Sequence, residues 1–304
     1  MKRIGTCGLG AALTALFVIA PSGAQERIDP ASPEGAFVAW VKLNCSLVEG
    51  TATLHWWEGR MYSRRQGEKD RHLFNVQGMN IRQCVVHEDP VRGLGVDIKG
   101  REVMFYLDPD SNEVVREWEN PWTGETVDVV HVANDPVNTR NTLWQKTEDG
   151  VWDERWMSAV AKDGVLLNGG GAARLFYENP LGGDFQQYVG GTYHAIEFGS
   201  SAAPIDALAD PGNTEVIDKV ISWGRVSKWL PWMKMGSRPG WAVFHTAGKR
   251  MASWDAMPAV IREEIARNYP EYREPPPLDD DRPNDTSWTV FKRYIDAKRE
   301  SGGP

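Results

Sequence analysis

The chain has 304 residues, a net charge of −8, three cysteines and 14 tryptophans. That length fits one large or two ordinary domains, and the acidic balance argues against nucleic acid or an anionic membrane as partner. No H-x-H, H-E-x-x-H, G-x-G-x-x-G, G-x-S-x-G or P-loop pattern occurs. Zincin, cupin, Rossmann, serine-hydrolase and nucleotide-binding readings therefore lack support, and neither a metal nor another cofactor is expected.

The chain opens on MKRIGTCGLGAALTALFVIAPSGAQ. Lys2 and Arg3 give a positive start, Gly8–Ala20 an apolar core and Ser22-Gly23-Ala24 a small-residue cleavage site, the pattern of a signal peptide cut near Ala24. The apolar run is too short to span a bilayer, and Cys7 precedes it, which argues against lipid attachment. A periplasmic or secreted protein without membrane insertion is expected, and loss of Lys2 and Arg3 takes its charge from −8 to −10. Cys45 and Cys84 then remain. They allow one disulfide closing a loop of about forty residues, or else stand as two buried thiols.

Ser32-Pro33-Glu34 supplies an N-cap, a proline at the first helical position and an acid in the first turn. A helix ending near Leu47 follows. From Leu54 to Asn138, short runs rich in Val, Phe, Tyr and Trp alternate with Gly, Pro, Asn and Asp clusters, the sign of antiparallel hairpins. His55–Ser63 and His72–Cys84 join through Arg65-Gln66-Gly67-Glu68. Val103–Leu107 turns through Asp108–Asn112 into Val114–Trp118, and Asn120–Gly124 precedes Thr126–Ala133. Val151–Ala161, Ala172–Tyr177, Tyr188–Phe198 and Gly240–Thr246 read as further strands, with Gly169–Gly171 and Gly182-Gly183 as turns. Ser200–Asn213 reads as a loop and Val216–Met235 as a long bent strand. Met257–Asn268 and a segment from Thr286 or Ser287 to Lys298 read as helices, parted by the polar linker Pro275–Asp281.

Nine or more short strands in meander order, with helices only at the ends, predict a mainly β protein built on a closed or nearly closed antiparallel barrel. A β-sandwich is the alternative. The domain is expected to run from 25 to 277, with 278–304 as an acidic linker and C-terminal helix packed on the barrel. Neither face of His55–Ser63 or His72–Cys84 is purely apolar. Strands facing a polar, ligand-holding interior look like this, and so do poorly covered surface strands.

Several long motifs carry a resemblance: WWEGRMYSRR, LFNVQGMNIRQC, REWENPWTGETVDVVHVANDPVN, PWMKMG, GWAVFHTAGKR and IARNYPEY. Together they resemble the bacterial family known as domain of unknown function 1838, over roughly Pro33 to Pro277. The resemblance implies a calycin or lipocalin-type barrel and transfers no catalytic residues.

The chemistry rests on polar side chains interleaved with aromatics. Cofactor-free proton transfer needs a base titrating near neutrality and a donor for developing oxyanion charge. His131 and Asp135, two apart from Ala133 in the alternation, form a candidate dyad, with Arg82 and Tyr62 as donors; the alternative is a core histidine beside a strand-ending turn. His55, Trp57, His72, Asn80, Tyr106, Trp122, Asn134 and His194 are candidate ligand contacts. His194 and Glu197 fall on opposite faces of a strand, so a shared metal is not expected. Two functions fit: a periplasmic, cofactor-independent lyase, isomerase, hydratase or hydrolase acting on an apolar or aromatic small molecule, and a non-catalytic carrier of a hydrophobic ligand.

Overall fold

The computed structural model describes residues 26–157, 159–169, 172–177 and 192–302. The expected signal peptide lies outside these residues, as do Tyr188–Gly191, Gly182-Gly183 and part of the Gly169–Gly171 turn. Helix α1 (Pro33–Asn44) starts as the sequence dictates: the Ser32 hydroxyl accepts from the Gly35 amide, and Pro33 fills the first turn.

One 11-stranded sheet carries the fold. Its path is β6 (Val132–Asn134), β3 (Gly93–Leu107), β2 (His72–Asp89), β1 (Thr53–Arg64), β13 (Trp241–Met251), β12 (Val220–Ser227), β11 (Tyr193–Pro204), β9 (Val165–Asn168) and β8 (Ala159–Lys162). β7 (Leu143–Trp144) adds to β3 and β10 (Ala172–Tyr177) to β11. β4 (Glu117–Glu119) and β5 (Thr126–Asp128) form a separate two-stranded ribbon. Every pairing is antiparallel. The fold is thus mainly β, but the expected closed barrel is not formed: among the described residues no ladder joins the β6–β7 edge to the β8–β10 edge. Among the described residues four α-helices complete it, namely α1, α2 (Ile205–Ala209), α3 (Ala259–Asn268) and α4 (Ser287–Glu300). None of the described helices is long and apolar enough to cross a membrane.

The β1–β2 turn holds Gly67 at φ +81, in the left-handed region that favours glycine. β2 and β3 outrun their expected lengths, reaching 18 and 15 residues, because their ladder continues to Asp89↔Gly93. Thr126–Ala133 breaks in two instead. The Val129 amide donates to the Arg116 carbonyl, which gives β5 to the ribbon and frees β6 to pair with β3. Val114–Trp118 keeps its turn but only a bridge from Val114 to Leu107 before β4. The 200–213 segment, read as a loop, holds the end of β11 and α2. The long strand expected over Val216–Met235 stops at Ser227, since Pro231 has no amide to give a ladder and opens a 3₁₀ turn, Pro231–Met233. Glu154–Met157, inside another expected strand, is also a 3₁₀ turn.

Apolar layers cover both faces of the sheet. On one, Met61, Phe74, Val76, Tyr106, Tyr193 and Phe244 join Trp229, Trp232 and the α4 side chains Trp288, Phe291 and Ile295. The C-terminal helix is therefore built into the core. On the other face, Met79, Ile81, Val103 and Phe105 meet Ile261 and Ile265 of α3. Cys45, which caps α1, is bonded to Cys84 of β2 with a Cα–Cα distance of 6.0 Å, so the disulfide fastens α1 to the sheet beside Phe37 and Val41.

Candidate functional site

The mixed strand faces acquire a simple meaning in three dimensions. Along one face of β2, Phe74 and Val76 lie in the apolar core, whereas Asn80 and Arg82 line a cavity of about 530 Å³. β3 repeats the change from Tyr106 to Glu102, and β1 from Met61 to Trp57 and His55. Successive strands so present an apolar half and a polar half on the same face. The polar half forms the inner wall of the cavity, with Trp40 and Asn44 of α1 and with Thr286 and Ser287 at the start of α4.

Ladder register aligns the polar groups. His55 lies opposite Asn80, Asn80 opposite Glu102, and Glu102 opposite Asn134, a continuous row across β1, β2, β3 and β6. Asn134 donates to Glu102 Oε1 at 2.6 Å. From the facing side, β12 contributes Ile221, Trp223 and Arg225 by simple alternation, Lys219 just before it continues the pattern, and β11 contributes Glu197. Arg225 donates to Glu197 Oε1 at 2.9 Å and to the Tyr193 hydroxyl at 3.0 Å. The Lys219 ammonium donates to the Leu43 carbonyl and to Asn44 Oδ1, each at 3.0 Å.

Burial reshapes the acid–base behaviour of these groups. Burial, then the Lys219, Arg82 and Arg250 charges, hold the His55 pKa well below the ordinary imidazole value, leaving the ring neutral. His55 Nε2 sits 3.3 Å from the Leu43 carbonyl and must carry the proton, which makes Nδ1 an acceptor with no partner among the described residues. Burial and the neighbouring Arg82 and Arg250 bring Lys219 down to about 7. Glu102 is raised, by burial first and by Glu197 second, against the pull of Asn134, Arg82 and Arg225. Burial opposes the charge on Arg225, but Tyr193 and Glu197 outweigh it and raise its pKa. Among the described residues, Asn80 Oδ1, Asn134 Oδ1 and Arg225 Nε also lack hydrogen-bond partners, so the wall holds donors and acceptors in reserve.

Five sequence-predicted residues meet here: His55, Trp57, Asn80, Arg82 and Asn134. The others lie elsewhere. Tyr62 and His72 neighbour each other with ring centroids 5.3 Å apart, and His72 Nε2 bonds the Phe74 carbonyl. Tyr106 is buried among Phe74, Trp232 and His131. Trp122 has the Arg65 and Arg71 guanidinium groups 5.5 and 5.3 Å from its ring centre and donates to Glu68. His194 lines a separate depression with Arg64 and Trp241.

The expected His131–Asp135 dyad is not assembled. β6 spans only Val132–Asn134, so the alternation that would align the two residues does not reach either. His131 Nδ1 accepts from the Tyr106 amide at 3.2 Å, whereas Asp135 is paired with Arg101 at 2.9 Å and Arg282 at 2.8 Å. In the sequence Glu197 figures only as a metal partner of His194, and Glu102, Lys219, Trp223 and Arg225 are not among the sequence candidates, although Lys219-x-Ile221-x-Trp223-x-Arg225 is a period-2 pattern that signals a half-polar strand. Among the described residues, no group of three or more His, Cys, Asp or Glu side chains is placed to hold a metal ion.

No curated protein matches the chain. Among solved structures it is similar to the attachment invasion locus protein Ail of Yersinia pestis, with 9% identity over 67% of this chain and 100% of that one. The TM-score of 0.13 carries no argument. A family profile described as "Protein of unknown function (DUF1838)" matches residues 50–295, a span that takes in the main sheet, the cavity row and most of α4. The chain therefore belongs to that family.

Proposed function

We propose that this protein takes a small apolar or aromatic molecule into the cavity and transforms it by cofactor-free acid–base chemistry. The observation that carries the reading is the row His55–Asn80–Glu102–Asn134, set in a cavity walled by Trp40, Trp57 and Trp223. Glu102 is the proton-transfer group, because its burial and the nearby Glu197 carboxylate bring its pKa up from the ordinary carboxylate value. Arg82 faces the same space and supplies a cation for developing oxyanion charge. The sheet acts as a calycin-like cup, its wall continued by α1 and the start of α4. The positively charged, then apolar, then small-residue leader supports a location in the periplasm or outside the cell.

Mass spectrometry of the protein incubated with a library of aromatic and apolar molecules tests the proposal. The expected result is conversion by the wild type and capture without conversion by Glu102→Gln. Captured molecules returned unchanged by the wild type would make the protein a carrier. Conversion by Glu102→Gln at the wild-type rate would take the proton-transfer role from Glu102.

A further inference from the structure

Resting on the small-molecule reading above, we propose that the cavity selects molecules bearing an acid group, a carboxylate or sulfonate, held by Arg82 and Lys219 at the end next to α1. The argument starts from how each charge in and behind the wall is matched. Arg225 has Glu197 and the Tyr193 hydroxyl. Arg250, behind the wall, has Glu215 together with the Lys42 and Cys45 carbonyls. Glu102 accepts from Asn134.

Arg82 and Lys219 are left over. Arg82 makes no ion pair among the described residues, and the opposite charge that acts on it is Glu102 from a distance. Lys219 is 5% exposed and bonds only neutral oxygens, those of Leu43 and Asn44, which occupy two of its three donors. Each cation depresses the other's neighbours: Arg82 acts on Lys219, and both act on His55. Lys219 is buried and Arg82 partly buried on the same cavity wall, and two such cations are costly unless something pairs with them. Among the described residues no carboxylate lies within ion-pair distance of either. A guanidinium fork and a free ammonium donor match the two oxygens of an acid group in geometry as well as charge. His55 Nδ1, neutral and unpartnered, accepts a proton donor elsewhere on the ligand. Trp57, Ile221, Trp223 and Leu175 then surround its apolar part.

Two dyes with the same rings supply the probes: 1-anilinonaphthalene-8-sulfonate and the uncharged N-phenyl-1-naphthylamine, each followed by fluorescence titration. At about pH 6, with Lys219 charged, the wild type is expected to hold the sulfonate roughly tenfold or more tighter than the neutral dye, the scale of one charge-assisted hydrogen bond. Arg82→Gln and Lys219→Gln should each erase most of that preference, with the neutral dye reporting that the cavity is intact. A second measurement needs no variant. Lys219 is faced by Arg82 from β2, Arg250 from β13, His55 from β1 and Asn44 from α1. Its proton is lost near pH 7, so the preference should shrink several-fold by about pH 8.5. Equal affinity for the two dyes in the wild type at both pH values overturns the acid-group inference and leaves the cavity reading standing. A preference that survives in both variants overturns it as well. Failure to bind either dye overturns the cavity reading and the inference together.

Discussion

Trp57 of β1 lies against the backbone of Gly78, its directly paired neighbour on β2, so closely that a Cβ at position 78 would come within 2.5 Å of the indole. The glycine is what lets this ring lie flat on the sheet as a wall of the cavity. Gly78→Ala is expected to displace Trp57 and cost about 1–3 kcal/mol, as overpacking does. A drop of several degrees in Tm together with weakened binding of N-phenyl-1-naphthylamine would show it. Unchanged Tm and affinity would mean that the ring has room to move aside.

His131 is buried with its Nδ1 accepting from the Tyr106 amide, and its pKa falls from 6.5 to about 4 through burial, with Arg116 adding to the effect and Glu264 opposing it. The sign follows directly. Between pH 6.5 and 4 the unfolded chain takes up a proton at this position that the folded chain refuses, so stability falls as the pH falls through that window. The loss is at most about 3 kcal/mol. His131→Gln should flatten the pH dependence of unfolding free energy measured in urea, with a residual slope from His55. Equally steep curves for the two proteins would remove this assignment.

The Cys45–Cys84 bond closes a separation of 39 residues and joins the end of α1 to β2. Chain entropy puts its contribution at about 4 kcal/mol. The Cys45→Ala/Cys84→Ala double variant should therefore melt roughly 10 °C lower. It should also lose affinity for the anionic dye, because Leu43 and Asn44, which hold Lys219, precede Cys45 in the chain. Wild-type melting and binding would show that α1 stays in place without the bond.

Trp288 of α4 is 1% exposed and meets Tyr193 edge-on at 5.4 Å within the main core. Trp288→Ala is expected to cost about 3–5 kcal/mol, the range for a deleted core aromatic. Calorimetry that found one transition lowered by roughly 10 °C would agree with a helix integral to the fold. An unchanged main transition preceded by a separate small one would make α4 an independent appendage.

Local chemistry made α1, α3, α4 and several turns legible, though not the short α2. Ser32-Pro33-Glu34 announced α1, Thr286 or Ser287 announced α4, and the Gly67 and Asp108–Asn112 turns fell where their residues require. The ends of strands depend instead on partners distant in sequence. Val129 leaves the ladder for the Arg116 carbonyl, a bond that no local pattern encodes. The candidate site divided the same way. His55, Asn80 and Arg82 were found because β1 and β2 are adjacent hairpin strands whose alternation shows in the sequence. Lys219 and Arg225 reach the cavity only through the β11–β12–β13 pairing, which spans residues 195–249. His131 and Asp135 drew attention by closeness along the chain, and three-dimensional placement parted them.

Thr286 and Ser287 touch the cavity while the same helix buries Trp288, Phe291 and Ile295 in the core, and the Thr286 capping box with Thr289 fixes where that helix begins. Occupancy and helix docking are thereby thermodynamically reciprocal. Whatever factor a bound molecule gains from the docked helix, it returns as resistance of the C-terminal segment to opening. Slower proteolytic clipping after residue 277 then becomes a readout of occupancy, one that finds a natural ligand in a crude extract before anything is known of its structure.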